Sequence, residues 1–135
     1  MTGPRWYFDE SVLGAANILS IDRDDIVHPG HPRLPDLPTG VPDPKWMRAV
    51  AAAGWVAVTR DRRIRSRPGE QTILLQAGLR VVWFGGKKDQ RPIEQAQLFL
   101  RFLPEIEDWV DKSGSGPSGV SLTVSGLRRV RLPRW

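Results

Sequence analysis

The sequence of 135 residues contains no cysteine, which excludes a disulfide framework, a thiolate zinc site and a cysteine nucleophile. No stretch approaches the roughly 20 apolar residues that span a bilayer, and the first residues lack the apolar region of a signal peptide. The glycine motifs that bind nucleotides and the nucleophile motif of acyl-transfer enzymes are missing as well. These absences predict a soluble cytoplasmic protein that makes no contact with a membrane.

The charge of the chain is positive. Twenty Lys and Arg residues stand against fifteen Asp and Glu residues, which gives a formal net charge of +5. Most of the basic residues are Arg, whose planar guanidinium matches the geometry of phosphate groups. The composition therefore makes a polyanionic partner plausible without indicating a fold.

Apolar runs alternate with helical patterns along the chain. Strands are predicted at residues 5–8, 26–28, 55–59 and 79–84, and helices at 12–19, 43–53, 70–77 and 92–110, the last with a kink at Pro104. Six prolines between residues 22 and 44 exclude a long helix there. Because parallel strands need helical crossovers, this order predicts an α/β fold, a three-layer sandwich with a mostly parallel central sheet.

A change of composition predicts a domain boundary near residue 112. Residues 1–112 are predicted to form the globular domain, and residues 113–119 read as a flexible Gly/Ser linker. The tail that follows, up to residue 135, alternates like an edge strand and then turns basic. It can be a strand added to the sheet, a partner-binding arm or a disordered extension; we favour a contact with a partner or with a second copy of the chain.

Three aspartates follow or precede the predicted elements at one end of the sheet. Asp9 and Asp61 come at strand exits, and Asp43 leads into a helix. If the strands at 5–8 and 55–59 are neighbours, the three carboxylates converge, and a divalent cation such as Mg²⁺ or Mn²⁺ would relieve their repulsion. Each aspartate also has a structural interpretation, as a helix cap or a turn former.

The segments around these aspartates carry a resemblance to a known family. They are Trp6-Tyr7-Phe8-Asp9-Glu10-Ser11, Asp43-Pro44-Lys45-Trp46 and Val58-Thr59-Arg60-Asp61. From about residue 5 to residue 110 the chain resembles the PIN-like nuclease domains, especially the compact branch that includes toxins of the VapC type. The resemblance implies a metal-dependent ribonuclease, the toxin half of a toxin–antitoxin pair, with Asp9, Asp43 and Asp61 as catalytic, metal-holding acids.

One position departs from the pattern of that family. PIN-like sites commonly carry a fourth acid a few residues beyond the third, and here the place is taken by Arg62, Arg63, Ile64 and Arg65. Glu10, next to Asp9, and Glu70, at the start of a helix, are candidate replacements. The missing acid favours a second hypothesis, a catalytically inactive scaffold of the same fold that binds RNA or a protein partner.

Basic residues cluster beside the third aspartate. The cluster consists of Arg60, Arg62, Arg63, Arg65 and Arg67, and Lys87 and Lys88 follow the next strand at the same predicted rim. Such residues can neutralise the phosphates of an RNA substrate with little sequence preference. The structural alternative is a solvated loop that offsets the nearby acids.

Other motifs carry weaker predictions. A receiver domain would also place an acidic pair, an aspartate and a lysine after its strands, but the interval between Asp61 and Lys87 holds only one helix and one strand. His28 and His31 lack a recognised zinc-ligand frame. Trp46 and Trp55 can stack on bases, although residues flanking a helix more often belong to the core.

Overall fold

The computed structural model of the protein describes residues 3–86 and 89–133. Its elements, in chain order, are β1 (Trp6–Phe8), α1 (Leu13–Leu19), β2 (Ile26–Val27), α2 (Asp43–Ala53), β3 (Val56–Thr59), α3 (Pro68–Ala77), β4 (Arg80–Phe84), α4 (Pro92–Arg101), α5 (Leu103–Ser113), β5 (Ser118–Thr123) and β6 (Gly126–Arg129). Short 3₁₀ helices at Glu10–Val12 and Arg62–Arg65 follow β1 and β3.

The described strands form one six-stranded sheet in the order β2-β1-β3-β4-β5-β6. Every neighbouring pair is parallel except β5 and β6, which form an antiparallel hairpin. The strands β1 and β3 are neighbours, with Phe8 opposite Val58. The adjacency on which the convergence of the aspartates depends is therefore present.

Two hydrophobic layers cover the sheet because side chains alternate along each strand. Trp6 and Phe8 of β1 pack in one core with α1, α4 and α5, and Tyr7 between them packs in the other core with α2 and α3. The predicted three-layer α/β sandwich with a mostly parallel sheet is confirmed.

Two glycines end helices where the sequence predicts an end. Gly54 follows α2 at φ 76° and Gly78 follows α3 at φ 71°, a left-handed conformation that glycine adopts without strain. The start of α2 differs from the prediction, because Pro42 holds the capping position and Asp43 is the first helical residue. The side chain of Asp43 therefore does not cap the helix and contacts another group instead.

The last predicted helix is two helices. The chain breaks at Phe102, and Pro104 lies in the first turn of α5, where its missing N–H costs no hydrogen bond. In the described residues no helix has both the length and the apolar character that crossing a bilayer requires.

The sheet extends past residue 112, into the segment for which the sequence predicts a linker and a tail. The strand β5 lies inside the sheet, parallel to β4, and β6 forms the edge beside it. Val120 and Leu122 of β5 are buried in the core against α4 and α5. The physical reason is the alternation of apolar residues after Gly119, which completes the hydrophobic layer.

Candidate active site

The chain leaves β1 toward β2 on one side of the sheet and reaches β3 on the other, so the strand order reverses between β1 and β3. At such a reversal the loops after the two strands diverge and open a crevice at their carboxyl ends. Asp9 directly follows β1, and Asp61 lies two residues beyond the end of β3. Both residues therefore flank the crevice that this topology creates.

A pocket of about 210 Å³ occupies this crevice. The acidic residues that line it are Asp9, Glu10, Asp43 and Asp61. The remaining lining residues are Ser11, Pro29, Val41, Trp46 and Arg63. The structure thus brings the three aspartates singled out in the sequence, together with Glu10, around one pocket. Glu70 is not part of this lining and lies near Arg67, with 3.8 Å between Oε1 and the guanidinium.

Asp9 is the most deeply buried of these acids, with 5% of its surface exposed. Its Oδ1 accepts hydrogen bonds from the Ser11 hydroxyl and from the Ser11 backbone N–H, and its Oδ2 accepts one from Thr59 Oγ1 at 2.7 Å. Burial raises the pKa of Asp9 to about 6; the hydroxyl donors oppose the rise and the charge of Asp43 adds to it. The protein therefore holds Asp9 in place at a cost that a nearby cation would reduce.

Asp43 contacts the side chain of Trp46 rather than capping its helix. Trp46 Nε1 donates to Asp43 Oδ1 at 2.8 Å, one turn along α2. The Trp46 ring is buried and stacks on Tyr7, with ring centroids 5.2 Å apart. Trp46 is thus a core residue that orients an acid, whereas Trp55 is only half-buried.

Arg63 forms an ion pair with both carboxylate oxygens of Asp61. Its Oδ1 accepts from the backbone N–H and from Nε of Arg63, both at 2.9 Å, and its Oδ2 accepts from Nη2 at 3.1 Å. Burial opposes the ionisation of Asp61, but the hydrogen bonds and the charge of Arg63 outweigh it, so the pKa of Asp61 lies below its usual value. Asp61 caps the second 3₁₀ helix as Asp9 caps the first, so the structural interpretation holds for both residues.

The chemistry of the donors fits Mg²⁺ or Mn²⁺, because carboxylate and hydroxyl oxygens are hard ligands. The arrangement of the side chains does not fit such a cation. Within residues 3–86 and 89–133, no group of three or more His, Cys, Asp or Glu side chains is placed to hold a metal ion. Both oxygens of Asp61 face the Arg63 guanidinium instead. The residue types for a cation are thus present around the pocket, but the side chains do not converge on one point.

Each arginine of the basic cluster has a contact within the protein. Arg60 pairs with Asp89 at 3.3 Å, and Arg62 donates to the Gly86 carbonyl at 2.7 Å. Arg65 lies over the ring of Trp83, 4.9 Å from its centroid. Arg63 is the member of the cluster that lines the acidic pocket. Lys87 and Lys88 lie outside the described residues.

Three residues of the site were missed in the sequence. Ser11 and Thr59 position Asp9, and their only signal is a polar side chain next to a strand end. Tyr7 lies beneath Trp46, and its buried hydroxyl has no hydrogen-bond partner among the described residues. Burial raises the pKa of Tyr7, and the charges of the acids around the pocket add to the rise. In the sequence Tyr7 could not be distinguished from an ordinary strand residue.

The two histidines contact each other at the turn beside the pocket, and the ring of His28 lies edge-on to that of His31 at 5.1 Å. His31 Nδ1 accepts a hydrogen bond from the backbone N–H of Arg33. These contacts tie the two rings to the turn that carries them.

The structure is a three-layer α/β sandwich with acidic residues around a pocket where the strand order reverses. These features define a class of parallel-sheet proteins whose ligands bind at that end of the sheet. Within this class, residues 4–86 match a family model described as a PIN-like domain. The match covers more than half of the chain, which therefore belongs to the PIN-like domain family. Comparison with curated proteins and with solved structures gave no match.

Proposed function

We propose that the protein is a metal-dependent endoribonuclease that hydrolyses RNA phosphodiesters. The observation that carries this proposal is that Asp9, Asp43 and Asp61 line one pocket at the carboxyl ends of β1 and β3. Membership of the PIN-like family supports it, because nucleases are common among such domains.

In this proposal Asp9, Asp43 and Asp61, with Glu10 as a further ligand, hold Mg²⁺ or Mn²⁺. Such a cation, when bound, polarises a phosphodiester and lowers the pKa of its bound water. Thr59 and Ser11 fix the orientation of the Asp9 carboxylate. Arg63 has to move off Asp61 before Asp61 can serve as a ligand, and its released guanidinium then lies beside the pocket, where a substrate phosphate would bind.

The substrate phosphates are proposed to contact the rim of the pocket. The residues assigned to this role are Arg60, Arg62, Arg63, Arg65, Lys87 and Lys88. Arginine forks that neutralise phosphates position a strand without reading its bases. This assignment predicts RNA binding that weakens as salt increases.

The biological role that we propose is the toxin half of a toxin–antitoxin pair in the cytoplasm. It rests on the resemblance of residues 5–110 to the compact VapC-type branch. The partners it implies are an RNA substrate, a small cognate antitoxin and a second copy of the chain. Expression of the protein should then arrest growth, and coexpression of the antitoxin should restore it.

Cleavage of labelled RNA by the purified full chain tests the proposed activity. The reaction is run with Mn²⁺, with Mg²⁺ and with EDTA, and the products are separated on a denaturing gel. We expect cleavage with either cation and none with EDTA. Cleavage at the same rate in EDTA, or no cleavage of any RNA with either cation, contradicts the proposal.

A specific observation favours a second candidate function, a non-catalytic scaffold that binds RNA. The Arg63 guanidinium satisfies both oxygens of Asp61, which neutralises that acid without a metal. A scaffold of this kind would bind RNA equally well in Mn²⁺ and in EDTA and would leave it intact. The same gel, together with a binding measurement, separates the two functions.

A further inference from the structure

A groove separate from the acidic pocket runs along β6 and the residues that follow it. It has a volume of about 1050 Å³, roughly five times that of the acidic pocket. Four arginines line it, Arg65, Arg128, Arg129 and Arg131, and no acidic residue does. The sequence contains no Asp or Glu after Asp111. The charged residues that line this groove are therefore all cationic.

The groove exists because β5 presents little side-chain volume on this face of the sheet. Gly119 and Ser121 face the same side as Val81 and Trp83 of β4, according to the pairing of the two strands. A Cβ at Gly119 would lie only 2.4 Å from Trp83 Cζ3, so the Trp83 ring covers the glycine. Arg128 pairs with Ser121 and therefore continues this face of the sheet on β6.

The segment that carries Arg131 is anchored to the rest of the protein on both sides of this residue. Val130 and Leu132 pack against the α2–α3 core, and the Val130 N–H donates to the Gly119 carbonyl at 2.9 Å. Arg131 lies between these two anchors and is exposed. The arginine segment is thus attached to the sheet rather than trailing from it.

These positive charges have no counterpart within the described chain. No ion pair in residues 3–86 and 89–133 involves Arg65, Arg128, Arg129 or Arg131. Burial, and after it the charge of Arg62, lower the pKa of Arg65. An anion placed in the groove would relieve both effects.

The side chain of Trp83 contacts one residue of the groove and one residue of the acidic pocket. Trp83 Nε1 donates to the Asp61 backbone carbonyl at 3.1 Å, and the face of the same ring carries the Arg65 guanidinium. Asp61 lines the pocket and Arg65 lines the groove, at the two ends of one 3₁₀ helix that spans about 8 Å at 2 Å per residue. Asp61 of the pocket and Arg65 of the groove are thus separated by one short helix.

We infer that this arginine groove is a binding site for the phosphate backbone of a single-stranded RNA that extends from the acidic pocket. The identity of the polyanion as RNA rests on the proposed function. Arginine supplies all four charges, and its planar fork suits phosphate oxygens. No Trp, Tyr or Phe lines the groove, so the contacts read the backbone and not the bases.

The test is the affinity of the full chain for a short fluorescein-labelled oligouridylate, measured by anisotropy in EDTA at increasing KCl concentrations. The groove variant replaces Arg128, Arg129 and Arg131 by Gln. The matched control replaces three exposed arginines outside the groove, Arg33, Arg48 and Arg101, by Gln and loses the same charge. We expect the groove variant to bind about tenfold or more weakly and its salt slope to fall by about 2, since each phosphate contact contributes about 0.7.

Equal affinity of the groove variant and the parent overturns the inference, as does an equal loss in the control variant. A groove variant that loses polyglutamate binding and keeps RNA binding overturns it in favour of an acidic protein partner. Thermal unfolding checks that each variant is folded. The single charge reversal Arg131→Glu, at an exposed side chain, gives the same comparison if the triple variant does not fold.

Different experimental results would contradict the inference and the proposed nuclease activity. Groove-dependent RNA binding without cleavage in Mn²⁺ retains the groove and rejects the nuclease. Cleavage that depends on Asp9, combined with unchanged RNA binding in the groove variant, retains the nuclease and rejects the groove.

Discussion

Arg63 and Asp61 form a two-pronged ion pair at the edge of the acidic pocket, with Nε on Oδ1 at 2.9 Å and Nη2 on Oδ2 at 3.1 Å. The pair occupies both oxygens of one of the three acids that the proposed activity requires. A guanidinium that neutralises a carboxylate competes with any cation for the same oxygens. The pair therefore controls whether Asp61 is available to a metal ion.

The first prediction concerns this competition. Arg63→Gln should increase the affinity of the RNA-free protein for Mn²⁺ by up to about fivefold, the range expected for an exposed ion pair. Isothermal titration calorimetry measures the affinity directly. Arg101→Gln is the control, because Arg101 is exposed at the end of α4 and does not line the pocket. Unchanged or weaker Mn²⁺ binding in Arg63→Gln would show that Arg63 does not restrain Asp61.

The second prediction concerns the acids themselves. Asp9→Asn and Asp61→Asn should each lower the rate of RNA cleavage by about a hundredfold or more, since either change removes a proposed ligand. Both variants should remain folded, and growth arrest on expression should disappear with the activity. Asp24→Asn, an exposed residue before β2 at the opposite end of the sheet, should cleave like the parent. An Asp9→Asn variant with parental activity would reject the assignment.

The positions of the aspartates could be predicted from the sequence, and their surroundings could not. Asp9 and Asp61 follow apolar runs, and parallel strands bring their carboxyl ends to one edge, so a pattern was sufficient to place them. The sequence predicts a phosphate contact for Arg63 but does not indicate that its side chain turns back onto Asp61. Its guanidinium reaches back only two residues, a geometry set by the 3₁₀ turn that Asp61 caps.

The edge of the sheet also differs from what composition predicts. Residues 113–119 have the composition of a flexible linker, yet Ser118 and Gly119 pair with Arg80 and Val81 of β4. The glycine that suggested flexibility is required because Trp83 lies against it. Packing with a distant aromatic residue is invisible to a composition count, and it overrides the local preference.

The third prediction concerns pH. Asp9 has a folded pKa of about 6, above the ordinary 3.8, so the folded state binds more protons than the unfolded state between these values. The contribution of Asp9 to the free energy of unfolding should therefore be largest below pH 3.8 and should fall, by about 3 kcal/mol at most, as pH rises from about 3.8 through about 6. Asp61, whose pKa is lowered, has the opposite sign and acts below this window.

Chemical denaturation of the parent and of Asp9→Asn in EDTA, on both sides of the window, measures the effect. Asparagine does not titrate, so the variant should lose this part of the pH dependence and should gain stability relative to the parent as pH rises through about 6. The same dependence in both proteins would assign the titration to another group.

The fourth prediction concerns the boundary of the domain. Leu122 is fully buried and Val120 nearly so, and β5 pairs with β4 along five residues. Removal of residues 113–135 would expose both side chains and the β4 edge, a loss of several kcal/mol against a total stability of about 5–15 kcal/mol. We expect the truncated chain not to fold, as measured by circular dichroism and by the absence of a cooperative melt.

Leu122→Ala in the full chain should lower the free energy of unfolding by about 2–5 kcal/mol, whereas Leu127→Ala, on the half-buried edge strand, should lower it less. A truncated chain that melts like the parent would place the boundary near residue 112 after all, with β5 and β6 as an accessory hairpin.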